Sequence, residues 1–291
     1  MKHLQKSFRI SERRACRVVD QPRSSQRYVP TKADKDAALV RSMVALSAEN
    51  PRYGYRRVWA LLRREGWAVN KKRVHRLWRE ADLKVPAGRR RKRQRLGSSE
   101  NGVARRQAEH LDHLWSYDFA MDATEDGRRL KMMPVVDEYS RECLALETER
   151  SITSEDVVET LDRLFTERGA PRFIRSDNGP EFIAQAVKRW LASSGIETLY
   201  IDPGAPWENA YSESFISRLR DELLDREEFA NLKEAKVLAE DYREHYNHHR
   251  PHGALDYLTP AEFAAIEALS AQSSVPTEEQ KELESVPRLS L

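Results

Sequence analysis

The sequence predicts an α/β protein: a mixed five-stranded sheet with flanking helices, preceded by an all-α basic region. Two observations carry this. Short apolar runs at 114–121, 130–136, 143–146, 173–175 and 197–201 read as strands, and long helical periodicity enters only after the third. Hairpin strands followed by alternating helix and strand give a mixed sheet. Charge also divides the chain. Residues 1–106 hold 30 Lys and Arg against 9 Asp and Glu, a balance of +21; residues 107–291 hold 20 against 38, a balance of −18. A basic half joined to an acidic one is the signature of a nucleic-acid-binding region attached to something else.

With 291 residues the chain can bury a real core, and two or more domains are expected. No apolar run approaches 18 residues, so no membrane span is expected, and residues 1–14 lack the apolar stretch of a secretory signal. Cys16 and Cys143 are far apart in partly apolar surroundings, as expected of buried thiols in a reducing cytosol.

Residues 1–30 form a helix-turn-helix-like segment, with two short helices over 9–30 interrupted at Gln21-Pro22. Ser11 fits an N-cap, with Ala15, Val18 and Val19 on one face. A plain helical hairpin has the same pattern. Residues 31–85 form a helical DNA-binding domain. The stretches 38–47 and 55–64 are amphipathic, the second with Val58, Leu61 and Leu62 inward. Asn70 caps a helix over 71–81 whose apolar face is Val74, Leu77, Trp78 and Ala81. Lys71, Lys72, Arg73, Arg76 and Arg79 occupy the rest, with Glu80 its one acid. Such a helix, after a short turn, suits a DNA groove.

Residues 86–107 are a basic linker. The stretch 84–95 carries seven cations and no acid, Arg89, Arg90, Arg91, Lys92 and Arg93 among them, between Pro86 and Gly97. It is expected to be unfolded and to contact phosphates without reading bases.

The catalytic half spans 108–264. In the first strand Trp115, Tyr117, Phe119 and Met121 point one way, and Ser116, Asp118 and Ala120 the other, leaving room beside Asp118. Asp126-Gly127 is a hairpin turn, and Asp137-Glu138 precede a second turn where solvation is expected. A helix over 152–168 opens at Thr153 or Ser154 and ends at Gly169. A strand then leads to Asp177 in Ser176-Asp177-Asn178-Gly179-Pro180, where Pro180 fits the start of the next helix. After the last strand, Tyr211, Phe215, Leu219 and Leu223 form a stripe every four residues, with Asn209, Glu213, Ser217 and Arg220 on another face. Arg218 and Arg220 could reach phosphate or pair with Asp221 and Glu222. Three carboxylates, Asp118, Asp177 and Glu213, supply the oxygen ligands that two Mg²⁺ require. Asp122 shares Asp118's face if the strand continues. Asn178 either orients Asp177 or forms the turn, and Gly179 gives positive φ or a close approach. His245, His248, His249 and His252 lack the spacing of a zinc site. A short helix over 261–269 is expected, and 265–291 is assigned to an acidic, disordered tail.

Asp118 in Trp-Ser-Tyr-Asp-Phe, Asp177 in Arg-Ser-Asp-Asn-Gly-Pro-Glu-Phe and Glu213 in Glu-Ser-Phe resemble the D,D(35)E triad of the retroviral-integrase superfamily. More narrowly they resemble the transposases of the IS3 insertion-sequence family, as do Tyr246-Asn247, Arg250-Pro251-His252 and Thr259-Pro260. Tyr53-Gly54-Tyr55-Arg56-Arg57 and Asn70-Lys71-Lys72-Arg73-Val74 resemble that family's second helix-turn-helix. The likeness spans most of residues 10–263.

It implies an RNase H-like core that cuts element ends and joins them to a target by 3′-OH transesterification. It implies Asp118, Asp177 and Glu213 as catalytic metal ligands, with two Mg²⁺ that Mn²⁺ can replace, and Asn178, Gly179 and Asn209 as their supports. Expected partners are double-stranded DNA (terminal inverted repeats and target), further copies of the chain, and the upstream reading-frame product or a fusion with it. Expected localisation is the bacterial cytoplasm at the nucleoid. The chain opens at Met1 without a leucine heptad and so resembles the second reading frame alone. Two other readings are a regulator inactive without the upstream frame and a nuclease without strand transfer. Only a transposase yields a joined product.

Overall fold

A computed structural model describes residues 2–28, 33–86, 106–176, 181–200 and 210–273. Asp177, Asn178, Gly179, Asn209, Arg89, Arg90, Arg91, Lys92, Arg93 and residues 274–291 lie outside the described residues. The chain divides into two compact units, Met1–Val85 and Pro86–Leu291. This division is coarser than the five segments expected from sequence.

In the first unit α1 is Lys2–Phe8, α2 Glu12–Val18, α3 Arg23–Arg27, α4 Ala33–Glu49, α5 Tyr55–Arg64 and α6 Lys71–Glu80. Ser11 caps α2, its side chain accepting from the Arg14 amide. The buried face of α2 is Ala15 and Cys16; Val18 and Val19, expected inward, are 68% and 47% exposed. Helices α4, α5 and α6 pack mutually around Leu39, Met43, Val58, Leu62, Val74 and Leu77. Asn70 caps α6 by accepting from the Arg73 amide at 2.8 Å.

In the second unit the elements are β1 (Leu114–Tyr117), β2 (Ala120–Ala123), β3 (Arg129–Asp137), β4 (Cys143–Glu149), α7 (Ser154–Arg168), β5 (Phe173–Ser176), α8 (Glu181–Ser193), β6 (Glu197–Tyr200), α9 (Ala210–Leu219), α10 (Leu232–His248) and α11 (Pro260–Ser273). β3 runs antiparallel to β1, β2 and β4, while β1, β5 and β6 are parallel. The register of β1 and β2 against β3 is continuous, Tyr117↔Val135 before the break and Ala120↔Met132 after it. The two are therefore one row, and the sheet has five rows, as the sequence predicts. Asp118 and Phe119 fall in the break, opposite Pro134 and Met133. Pro134 has no N–H to donate, which accounts for the interrupted ladder.

Alternation sends Trp115, Tyr117, Met133, Val135 and Ile174 to a core shared with Val157, Leu161, Val187 and Leu191 of α7 and α8. Ala120, Leu130, Met132 and Val136 face the other way, against Phe215, Ile216, Leu219, Ala239 and Tyr246 of α9 and α10. Thr153 and Asp156 form a capping box at the start of α7. α11 runs through Ser273, past the boundary at 265 where disorder was expected. It is held by Thr259 and Glu262 in reciprocal caps and by the Tyr139 hydroxyl donating to Glu267 at 2.8 Å. Cys16 and Cys143 are both free and buried. Among the described residues no helix is long and apolar enough to cross a membrane.

Candidate active site

Asp118 follows β1 directly, in the break opposite Pro134. Its Oδ1 accepts from the Phe119 amide at 2.7 Å, which orients the carboxylate. Alternation puts it on the face of Ala120, the face covered by α9. Ser116 and Ala120, the small residues flanking it there, are both fully buried.

β5 lies beside β1 in parallel, and their last paired residues are Tyr117↔Ser176. In sequence Tyr117 is followed by Asp118 and Ser176 by Asp177. The two acids thus succeed one register pair, although Asp177 itself lies outside the described residues.

Glu213 sits in the first described turn of α9, which packs against β3 and β1. The inward face of α9 is Ser212, Phe215, Ile216 and Leu219, so Phe215 and Leu219 of the expected stripe are buried, while Tyr211 at its start is only partly so. A π-helical turn, Arg220–Leu224, continues α9 and keeps Leu223 buried four residues after Leu219. Glu213 is left on the exposed side. Partial desolvation raises its carboxyl above the ordinary range, and no cation among the described residues offsets this. A carboxylate held without a compensating charge fits a cation-binding role. Asp122 lies on β2 in the same row as Asp118; burial raises its carboxyl, and Arg220 opposes that rise.

The charged groups around the acids differ from expectation. Asp137 and Glu138 were expected in solvent, yet they are 0% and 1% exposed. Asp137 accepts from the Ser140 amide and hydroxyl at 2.8 and 2.6 Å. Glu138 accepts from Arg175 Nη1 at 2.6 Å through each carboxylate oxygen. Arg175, two residues before Asp177, is 4% exposed and also donates to the Arg106 carbonyl at 2.8 Å. The clue was an arginine inside the apolar run Phe-Ile-Arg-Ser, which needs a buried counter-charge.

The motif after α9 proves architectural. Asn247 accepts from the Cys143 amide at 2.9 Å and donates to its carbonyl at 2.8 Å, tying α10 to β4. Arg250 pairs in a buried fork with Glu222, both contacts at 2.7 Å. His252 stacks edge-on to Tyr246 and meets Arg250 at 3.1 Å, and His245 faces His249 at 5.7 Å between ring centroids. Among the described residues no cluster of three or more His, Cys, Asp or Glu could hold a metal.

On α6, the expected face Val74, Leu77 and Trp78 is buried. Two of the five cations are committed within the unit, to an acid that lies on another helix and not on α6 itself. Asp36 of α4 accepts from Arg73, with Nε at 3.0 Å, and from Arg76 at 3.3 Å. Lys71 lies 4.7 Å from the Trp59 ring centroid. Lys72, Arg76 and Arg79 remain exposed.

Family models described as an integrase core domain match residues 108–206 and 194–260, and one described as an HTH-like domain matches 33–93. The chain is 40% identical over 273 residues to the insertion element IS407 uncharacterized 31.7 kDa protein of Burkholderia multivorans, covering 94% of this chain and 97% of that one. It is 32% identical over 238 residues to transposase InsD for insertion element IS2 of Escherichia coli, covering 77% of each. This chain belongs to the IS3 family of insertion-sequence transposases. The transposase also shares 18% identity, at a TM-score of 0.42, with the HTLV-2 integrase catalytic core domain in complex with magnesium. That match covers 54% of this chain and 99% of the other. The transposase is an enzyme of the integrase class, with a helical HTH-like region ahead of a mixed-sheet core.

Proposed function

We propose that Asp118, Asp177 and Glu213 are the acids through which this transposase cuts and joins DNA, holding two Mg²⁺ that Mn²⁺ can replace. The observation that supports this most is the register of β1 and β5. Adjacent parallel strands lie about 4.8 Å apart, and one acid directly follows each member of the pair Tyr117↔Ser176. Arg175, two residues before Asp177 in sequence, pairs with Ser116, two residues before Asp118. All three donors are carboxylates, the hard oxygen ligands such ions prefer, and the uncompensated charge of Glu213 agrees with a cation there. Bound there, the ions would lower the pKa of a water and stabilise the attacking and leaving oxygens.

The chain's own part is orientation. The Phe119 amide fixes Asp118, and α9, packed on the sheet through Ser212, Phe215, Ile216 and Leu219, carries Glu213 on its exposed side. Water attacks the phosphodiester at the element end and frees a 3′-OH. That hydroxyl then attacks a target phosphodiester, one P–O bond forming as another breaks, so no external energy source is needed. Asn178, Gly179 and Asn209 support the acids. Exposed Lys72 and Arg79 lie in a groove of the terminal repeat, and Arg89, Arg90, Arg91, Lys92 and Arg93 follow phosphates. The domain limits 31–85 and 108–264 belong to the same proposal. One site per chain must handle two DNA ends, so further copies assemble on DNA, at the nucleoid, with or without the upstream-frame product.

Asp118→Asn, Asp177→Asn and Glu213→Gln are each expected to lower cleavage and joining of labelled element-end DNA by about a hundredfold or more, the scale of several kcal/mol of metal-supplied stabilisation. Duplex affinity is retained. An Asp177→Asn protein that still cleaves and joins in Mg²⁺ contradicts the assignment. Cleavage without any joined product from the wild type indicates a nuclease instead.

A further inference from the structure

The turn between β3 and β4, residues 138–142, touches the two strands that precede Asp118 and Asp177 in sequence and the helix that carries Glu213. The Glu138 amide donates to the Leu114 carbonyl at 3.0 Å, at the start of the strand that ends before Asp118. The Glu138 carboxylate holds Arg175 of β5, two residues before Asp177. The Arg141 guanidinium lies 3.8 Å from the Tyr211 ring centroid on α9, two residues before Glu213. Arg141 Nη1 also donates to the Glu138 carbonyl at 2.5 Å, linking the last two contacts.

The turn is stiff. Asp137 accepts from the Ser140 amide and hydroxyl, and the Arg141 amide donates to the Asp137 carbonyl at 2.9 Å. The Asp137 amide donates to the Glu142 carbonyl at 2.9 Å, closing the hairpin. Arg141 itself has φ +68°, a left-handed conformation that costs a side-chain-bearing residue energy. Stability alone is a poor explanation for a buried ion pair, since apolar residues of the same size would often serve as well or better. What an ion pair adds over an apolar contact is direction.

We infer that residues 138–142 brace the three acid-bearing elements against one another, with Glu138 and Arg141 as positioning residues. The inference rests on Asp118, Asp177 and Glu213 being the metal-holding acids. Displacing a reacting group by about 1 Å can cost a hundredfold in rate, and acids borne by separate segments depend on the packing between those segments for their spacing. The turn supplies such contact from a single rigid point.

The test compares full-length Glu138→Gln, Arg141→Ala and Arg141→Lys with wild type and with Asp177→Asn. Each is checked by thermal melting and then assayed for strand transfer of labelled element-end duplex across a Mg²⁺ titration. Glu138→Gln and Arg141→Ala are expected to lower kcat about tenfold or more and to raise the Mg²⁺ concentration for half-maximal rate several-fold. KM for the duplex stays within about twofold, and Arg141→Lys recovers part of the loss. If Glu138→Gln does not fold, Arg141→Ala, on a partly exposed residue, decides. Folded variants with wild-type kcat and wild-type Mg²⁺ requirement overturn the brace, as does a loss confined to KM. Inactive Asp177→Asn beside wild-type-like turn variants refutes the brace alone, whereas active Asp177→Asn removes the acid assignment and the brace with it.

Discussion

Asp137 shows what burial does to a single carboxyl. Desolvation in the β3–β4 turn pushes it up to about 6, against the opposing hydrogen bonds from Ser140. Its folded value exceeds the unfolded one, so the folded state holds the proton more tightly between about pH 4 and 6. This group's contribution to stability is therefore full below pH 4 and is lost as pH rises through 6. Asp137→Asn removes the dependence. Urea unfolding of both proteins at pH 4 and pH 8 should show the difference in stability between variant and wild type shifting toward the variant by on the order of 3 kcal/mol. Parallel pH profiles contradict that. At this scale Asp118 and Glu213 stand out in the sequence as candidates because local words surround them. Glu138 and Arg175 do not: they pair across 37 residues, and a sequence window sees only acids before a turn.

Among the elements, α6 separates charges that hold the fold from charges left for a ligand. Lys72→Ala and Arg79→Ala are expected to weaken duplex binding and each to reduce the slope of log K against log salt by about 1. Arg73→Ala leaves that slope nearly unchanged, because Arg73 is engaged by Asp36, and lowers the helical unit's stability by under about 1 kcal/mol, as for a partly exposed pair. Equal loss of slope in Arg73→Ala and Lys72→Ala refutes this division. Apolar periodicity gave α6 and its Asn70 cap almost residue for residue. It could not give the partner of Arg73, which comes from another helix. Nor could it give the interruption at Asp118, because only the register against Pro134 explains it. On α9 the stripe holds at Phe215, Leu219 and Leu223 and is widened by Ser212 and Ile216, while Tyr211 at its start is only partly buried.

Across the whole molecule, the division into a basic and an acidic part is legible from composition, and the five-row sheet from strand count and turn positions. The adjacency of β1 and β5 is not, for it joins strands 59 positions apart in register, Leu114↔Phe173. Yet that adjacency joins the strands that precede Asp118 and Asp177 in sequence, and the central proposal belongs to this scale: that these two acids and Glu213 of a helix hold metal together. Diffraction from crystals grown with Mn²⁺, recorded for anomalous signal, tests it most directly. The account predicts anomalous peaks at roughly 2.0–2.3 Å from carboxylate oxygens of Asp118, Asp177 and Glu213 together. Peaks bound elsewhere, or the three carboxylates too far apart to share an ion, would contradict it.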